Sequence, residues 1–273
     1  MPLLYADFNQ IELWIVALEA NDEPFLAIHA RDEYVHGAAY EDVFKPELFF
    51  EPGKPRRKEF RLPTVTHEKL NRAKAIPHGF NYNRKGASVA KEHNWTEREG
   101  RTYEDKYFTV HWAIRDWHKK IDNEVSRDGL LRNKFGRIRR YPIKDNSVYS
   151  YKPQSGAADI LIRAIPRIFA RLTLPSRILL PVHDSLLVQS PWVKMERDAH
   201  VLVEEMERPI PQHNNFVFGT ELKIGMNWKD ADEGNPLGLT TVTLANLPEA
   251  VRELEKRYRS SQTAYSIATR GEV

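Results

Sequence analysis

Two rhythms of apolar residues divide this chain. A short apolar run from Pro2 to Ala6 (PLLYA) stops at Asp7, and Ile11, Trp14, Ile15 and Leu18 then recur at helical spacing within Gln10–Ala20. The pattern predicts a strand, a carboxylate at its tip, and a helix. Asp22–Pro24 breaks that helix, and a second short one fits Phe25–Arg31. Lys45–Pro63, rich in Pro and Lys, reads as a loop or insertion. From Thr66 to Ala90 the spacing is helical but flawed, because Pro77 removes a backbone donor and Gly79 and Gly86 lower helix propensity; a kink is expected. Tyr103–Val125 is a better amphipathic helix, with Tyr107, Ile114, Trp117 and Ile121 on its stripe. A further helix over Ser155–Leu172 opens at Ser155 or Gly156 and is interrupted by Pro166.

Arg177–Gln189 (RILLPVHDSLLVQ) is the clearest hairpin, two branched apolar segments flanking the polar tip His183-Asp184. Lys194–Glu207 reads as a helix and Glu221–Gly225 as the final strand. Asp230–Gly238 is turn-rich, and Leu247–Tyr258 is a charged helix before a polar tail, its narrow stripe made of Val251, Leu254 and Tyr258. No internal repeat interrupts this α+β pattern.

Composition narrows the chemistry. The 273 residues are 41% hydrophobic and 29% charged, enough apolar surface to fold a sizeable core. The absence of Cys excludes disulfides, zinc-thiolate sites and cysteine nucleophiles, so any metal must rest on oxygen or imidazole. No window approaches eighteen apolar residues, and the chain is expected to be soluble and cytoplasmic, with no membrane partner. A net charge of +3 announces no polyanion, but cations cluster in Lys54–Arg61 (KPRRKEFR), Arg132–Arg140 (RNKFGRIRR) and Arg163–Arg177. A charge run is more often a solvated face than a binding surface. Asp7 and Asp184 each end an apolar strand, 177 positions apart. On a shared sheet, two such carboxylates can bind a pair of magnesium ions about 4 Å apart, the arrangement that supports in-line displacement at phosphorus. Taken alone, a strand-end Asp is more often a helix cap or turn residue.

Five segments in order resemble the polymerase domain of family A DNA polymerases. Asp7-Phe-Asn-Gln-Ile-Glu-Leu is similar to motif A (DYSQIEL), Lys74 to Asn83 to motif B (KxxxxGxxYG), and Val182-His183-Asp184-Ser185 to motif C (VHDE). Pro153-Gln154-Ser155-Gly156-Ala157-Ala158-Asp159 resembles the family's QGxAAD helix start, and Phe135 to Tyr141 its FGRRR segment. With Asn227-Trp228 the resemblance covers roughly residues 1–231. It implies a palm, a small antiparallel sheet with helices, over 1–24 and 126–231, helical fingers over 25–125, and a C-terminal extension over 232–273, with thumb and exonuclease domains absent. It implies Asp7, Asp184 and Lys74 as catalytic residues, with two Mg2+ ions (Mn2+ an alternative) on Asp7 and Asp184. Gln10, Glu12, His36, His78 and Tyr82 would meet the nucleotide, Glu12 excluding a ribose 2′-hydroxyl. Arg137, Arg139, Arg140, Gln154 and His183 would meet DNA. The activity implied is template-directed addition of dNTPs to a primer on a DNA primer-template.

The departures are specific. Ser185 replaces an acidic residue of motif C, Leu70 stands where the family has an Arg four residues before the Lys, His78 replaces Phe or Tyr, and Asn83 replaces Gly. Lys69 or Arg72 could return the charge missing at Leu70, although neither falls on the matching position. Motif A begins six residues after Met1, which suggests the C-terminal subunit of a split polymerase whose second polypeptide carries thumb and exonuclease parts. The alternative is a catalytically weak, polymerase-like nucleic-acid-binding or assembly subunit.

Overall fold

The computed structural model of the chain describes residues 1–141 and 147–270, with side chains through residue 262. In chain order it runs β1 (Leu3–Phe8), α1 (Ile11–Ala20), α2 (Glu23–Ala30), α3 (Val35–Phe44), α4 (His67–Asn81), α5 (Gly86–Glu92), α6 (Glu97–Val110), α7 (Trp112–Asp128), β2 (Leu130–Arg132), β3 (Ile138–Arg140), α8 (Ser147–Arg171), β4 (Arg177–Val182), β5 (Ser185–Gln189), α9 (Met195–Met206), β6 (Thr220–Gly225), β7 (Thr240–Val242) and α10 (Leu247–Arg270). These elements form two compact units, residues 1–11 with 157–273 and residues 12–156. The divisions fall at 11/12 and 156/157, whereas the sequence suggested 24/25 and 125/126.

The first unit is built on an antiparallel sheet of order β4-β5-β1-β6-β7. β1 lies in its middle because its period-2 pattern suits both sides: Leu4, Ala6 and Phe8 are buried, while Tyr5 and Asp7 point to the other, half-exposed face. Ala6 pairs with Leu186 on one side and Leu222 on the other, and Leu4 with Val188 and Ile224, so the buried face is continuous across three strands. α9 covers β1 and β6. β7 adds a strand beyond Glu221–Gly225, which is therefore not the last. The α10 stripe packs on its own unit: Leu247, Val251 and Leu254 are buried, α10 lies on α9, and the Tyr258 ring is 6.1 Å from that of Trp192.

The second unit is helical, and its breaks differ from expectation for local reasons. The Thr66–Ala90 stretch is two helices, α4 capped by the Thr66 hydroxyl and ended by a turn in which Asn83 adopts φ 54; Pro77 sits inside α4 without stopping it. The stretch around Tyr103–Val125 is also two helices. α6 starts earlier, at a capping box of Thr96 and Glu99, and the chain turns at His111, whose buried Nδ1 meets Asp22 Oδ1 at 2.9 Å. That same carboxylate accepts the Phe25 N–H at 3.1 Å and caps α2. α8 begins at Ser147 rather than Ser155 and runs through both Pro153 and Pro166. Tyr149 of this unit, and Ala157, Ile160, Leu161, Ala164 and Ile168 on the part of α8 that belongs to the first, are buried along it. At about 1.5–3 kcal/mol for each large side chain, their burial outweighs about 3 kcal/mol per interior proline. The ribbon β2–β3, turned at Gly136 (φ 88), lacked any sequence signal.

Candidate active site

β1 delivers Asp7 and the two-residue turn between β4 and β5 delivers Asp184. Asp7 pairs in register with Ser185, and the Phe8 N–H donates to the Asp184 carbonyl at 3.3 Å, which ties the hairpin tip to the end of β1. His183, the other tip residue, takes a left-handed conformation (φ 55) and is exposed. The two carboxyl groups lie near enough to act on one another. Burial first, then the facing Asp184 and Glu221 carboxylates, hold the Asp7 carboxyl up to about 6, and Lys223 opposes them. Burial also raises Asp184. Glu221 lies directly opposite Asp7 on β6, so Ser185, Asp7 and Glu221 share one sheet face, with Tyr5 and Lys223 one pleat away.

Two half-buried carboxylates beside a third, Glu221, form a site short of positive charge. Among the described residues no group of three or more His, Cys, Asp or Glu is arranged to hold a metal. The pair nonetheless fits magnesium, which takes one or two carboxylates and fills its remaining positions with water and substrate phosphate oxygens. Ser185 adds no ligand: it is buried, and its hydroxyl donates to the Val182 carbonyl at 2.7 Å, closing the turn.

The other candidates of this unit and the next fall as follows. Gln10 is exposed at the β1–α1 turn with φ 55. In the helical unit the Tyr82 hydroxyl donates to the Glu12 carboxylate, and the Tyr82 ring stands edge-on to His78 at 5.4 Å. Glu12 is therefore held by a partner 70 positions away rather than being a solvated helix residue. Lys74 is exposed on α4. His36 is buried on α3, which packs against α4, and its Nδ1 has no hydrogen-bond partner. Gln154 is exposed on α8. Arg137 lies in the β2–β3 turn and Arg139 and Arg140 on β3, with Arg139 over the rings of Tyr141 and Tyr151 at 5.8 and 6.0 Å. Of the two cations near the charge missing at Leu70, Arg72 pairs with Glu68 and stacks on Trp95 and Tyr103. Lys69 is likewise engaged, donating to the Leu48 carbonyl at 2.7 Å.

The model of DNA polymerase family A matches residues 1–230. The chain belongs to DNA polymerase family A. Among its relatives, DNA polymerase I of Caldicellulosiruptor bescii is 27% identical over 245 residues, covering 83% of this chain and 26% of that protein. The thermostable DNA polymerase I of Thermus aquaticus is 27% identical over 243 residues, covering 85% and 27%. The chain thus spans about a quarter of the length of these family A relatives. The POL domain of Pol1 from M. smegmatis, solved in complex with DNA primer-template and dNTP, has the same fold, with a TM-score of 0.69 at 22% identity over 84% of this chain and 40% of that one. The family A match stops before β7 and α10. Glu221, Lys223 and Tyr5 are the site neighbours that motif matching did not single out; the alternation of Glu221 and Lys223 on a strand places them on one face but not opposite Asp7.

Proposed function

We propose that this chain carries out nucleotidyl transfer in DNA synthesis, adding dNTPs to a primer 3′-hydroxyl on a DNA primer-template. The observation that carries the reading is the placement of two carboxylates from distant segments side by side: Asp7 pairs in register with Ser185 and the Phe8 N–H donates to the Asp184 carbonyl at 3.3 Å. These two residues would hold Mg2+, with Mn2+ a substitute. When bound, the metal supplies Lewis-acid stabilisation of charge on the transferring phosphoryl group and favours the ionised primer hydroxyl. In the reaction the 3′-oxygen forms a bond to the α-phosphorus as the bond to pyrophosphate breaks, and Lys74 would hold the phosphates and place a proton on the leaving group. Glu12, pinned by Tyr82, would occupy the space of a ribose 2′-hydroxyl, restricting the site to deoxynucleotides. His78 would line the nucleotide pocket with Tyr82. Gln10 would border the nucleotide and His183 the primer terminus. Arg137, Arg139 and Arg140 would bind phosphates with salt-dependent affinity, and Gln154 the minor groove.

In this reading the sheet-bearing segments act as palm and residues 25–125 as fingers, while a second polypeptide supplies thumb and exonuclease parts. The test is primer extension by the purified chain at high primer-template concentration, with Asp7→Ala and Asp184→Ala beside it. Product from the wild type and none from either variant is the expected result. Binding of primer-template without any extension, in the chain and in its complex with a co-purifying polypeptide, would instead favour the nucleic-acid-binding subunit.

A further inference from the structure

Tyr82 leaves the end of α4 between two asparagines, and each is engaged by another helix of the same unit. Asn81 is buried, and two different helices take its side chain and its backbone. The Tyr107 hydroxyl on α6 donates to Asn81 Oδ1 at 2.6 Å, and His118 on α7 donates its Nε2–H to the Asn81 carbonyl at 2.8 Å. Tyr107 and His118 are themselves buried. Burial lowers the His118 pKa, which keeps the ring neutral. His118 stands edge-on to Tyr149 of α8 at 4.9 Å, and the Tyr149 hydroxyl donates to Asp122 Oδ1 at 2.7 Å. Asn83 takes a left-handed φ of 54, which Asn tolerates better than most residues, and lies near enough to act on that same hydroxyl.

The carbonyls of a helix's last turn lack intrahelical donors, and His118 supplies one to Asn81. Fixing the backbone on both sides of Tyr82 leaves its ring only two torsions to set, so the place of its hydroxyl follows. That hydroxyl donates to Glu12. A chain of hydrogen bonds thus runs from α6 and α7 through Asn81 and Tyr82 to the Glu12 carboxylate, all of it within residues 12–156.

We propose that Asn81, Tyr107 and His118 are positioning residues for sugar discrimination: they fix the backbone that carries Tyr82 and, through Tyr82, the Glu12 carboxylate that would meet a ribose 2′-hydroxyl. This rests on the polymerase reading and deepens it. The three act through Tyr82 and not on the nucleotide. A network needed only for folding would cost stability and leave the sugar preference as it is.

The ratio of kcat/KM for dNTP to that for rNTP, measured by primer extension with the 273-residue chain, tests the proposal. Tyr107→Phe and His118→Leu should each lower that ratio roughly three- to tenfold, the worth of one hydrogen bond. His118→Gln, whose amide can still donate to the Asn81 carbonyl, should keep it. Ile121→Val, a change at another buried position of α7, should lower stability and leave the ratio unchanged. In a Glu12→Ala background, Tyr107→Phe and His118→Leu should change the ratio no further, because their effect passes through Glu12. Amide exchange at residues 81–83, followed by mass spectrometry without substrate, should quicken in both variants, which reads the clamp independently of catalysis. A wild type that extends no primer would remove the polymerase reading and the sugar role with it, whatever the exchange shows. The proposal itself is overturned if extension proceeds and both variants keep the wild-type ratio, if their losses persist beside Glu12→Ala, or if exchange at residues 81–83 is unaltered.

Discussion

Acidification should destabilise the helical unit through His36, and the size of the effect follows from its burial. An exposed histidine titrates near 6.5, whereas His36 in the fold is held down to about 4 by burial and by Lys74 and Lys58. Its folded pKa is depressed, so between those values the unfolded chain binds a proton that the folded chain does not. Stability is then full above pH 6.5 and is lost as pH falls toward 4. With these two values, the His36 contribution falls by about 2 kcal/mol between pH 7 and pH 5. Other groups titrate in the same window: burial also lowers His118, while Asp7, held up at about 6, works in the opposite sense. The informative quantity is therefore the difference between wild type and His36→Gln, in which those groups are unchanged. Urea denaturation at pH 7 and pH 5, followed by circular dichroism, should show a loss in the variant that is smaller by about 2 kcal/mol than in the wild type. Equal losses in the two proteins would refute the assignment of a buried, neutral His36.

Asp7→Ala and Asp184→Ala should each lower primer extension by at least about 10^3-fold, because each removes a carboxylate worth several kcal/mol of charge stabilisation; circular dichroism should show both folded. Glu12→Ala should admit ribonucleotides, read as a fall in the ratio of dNTP to rNTP incorporation, and an unchanged ratio would overturn the steric role. Gly86→Ala should lower the melting temperature, since its Cβ would lie 2.2 Å from the Gly100 carbonyl oxygen where α5 and α6 touch; overpacking of this kind costs about 1–3 kcal/mol or more. Deleting residues 240–273 should lower stability and promote aggregation, measured by melting and light scattering, because it uncovers β6 as an edge and exposes the α9 surface under Leu247, Val251 and Leu254.

The legible parts of this chain were those fixed by short-range pattern. An apolar run ending in Asp7 and a hairpin tipped by Asp184 were readable because alternation and turn chemistry act over a few residues. The split of the long helices was not, because the turn at His111 is held by Asp22, 89 positions away. Pro166 misled for the reverse reason: its local cost is real, but burial of Leu161, Ala164 and Ile168 along α8 overrides it. Register hid Glu221, since alternation shows which residues share a face and not which one stands opposite Asp7. The basic run at Lys54–Arg61 looked like a solvated face because the partners of Arg56, Glu33 and Asp42, lie 23 and 14 positions upstream.

The central place of β1 also sets an order of events during synthesis. β1 is made well before both of its partners, β5 and β6 at residues 185–189 and 220–225, so its apolar segment must wait until residue 225 has emerged. At roughly 5–20 residues per second that delay is about 10–40 s. Residues 12–156 close their own contacts meanwhile, and Asp184 comes beside the end of β1 only when the β4–β5 hairpin has been made. Ribosome-stalled chains of increasing length should therefore gain protease protection in the helical segment first, and protection of Leu3–Phe8 only after residue 225 has cleared the exit tunnel.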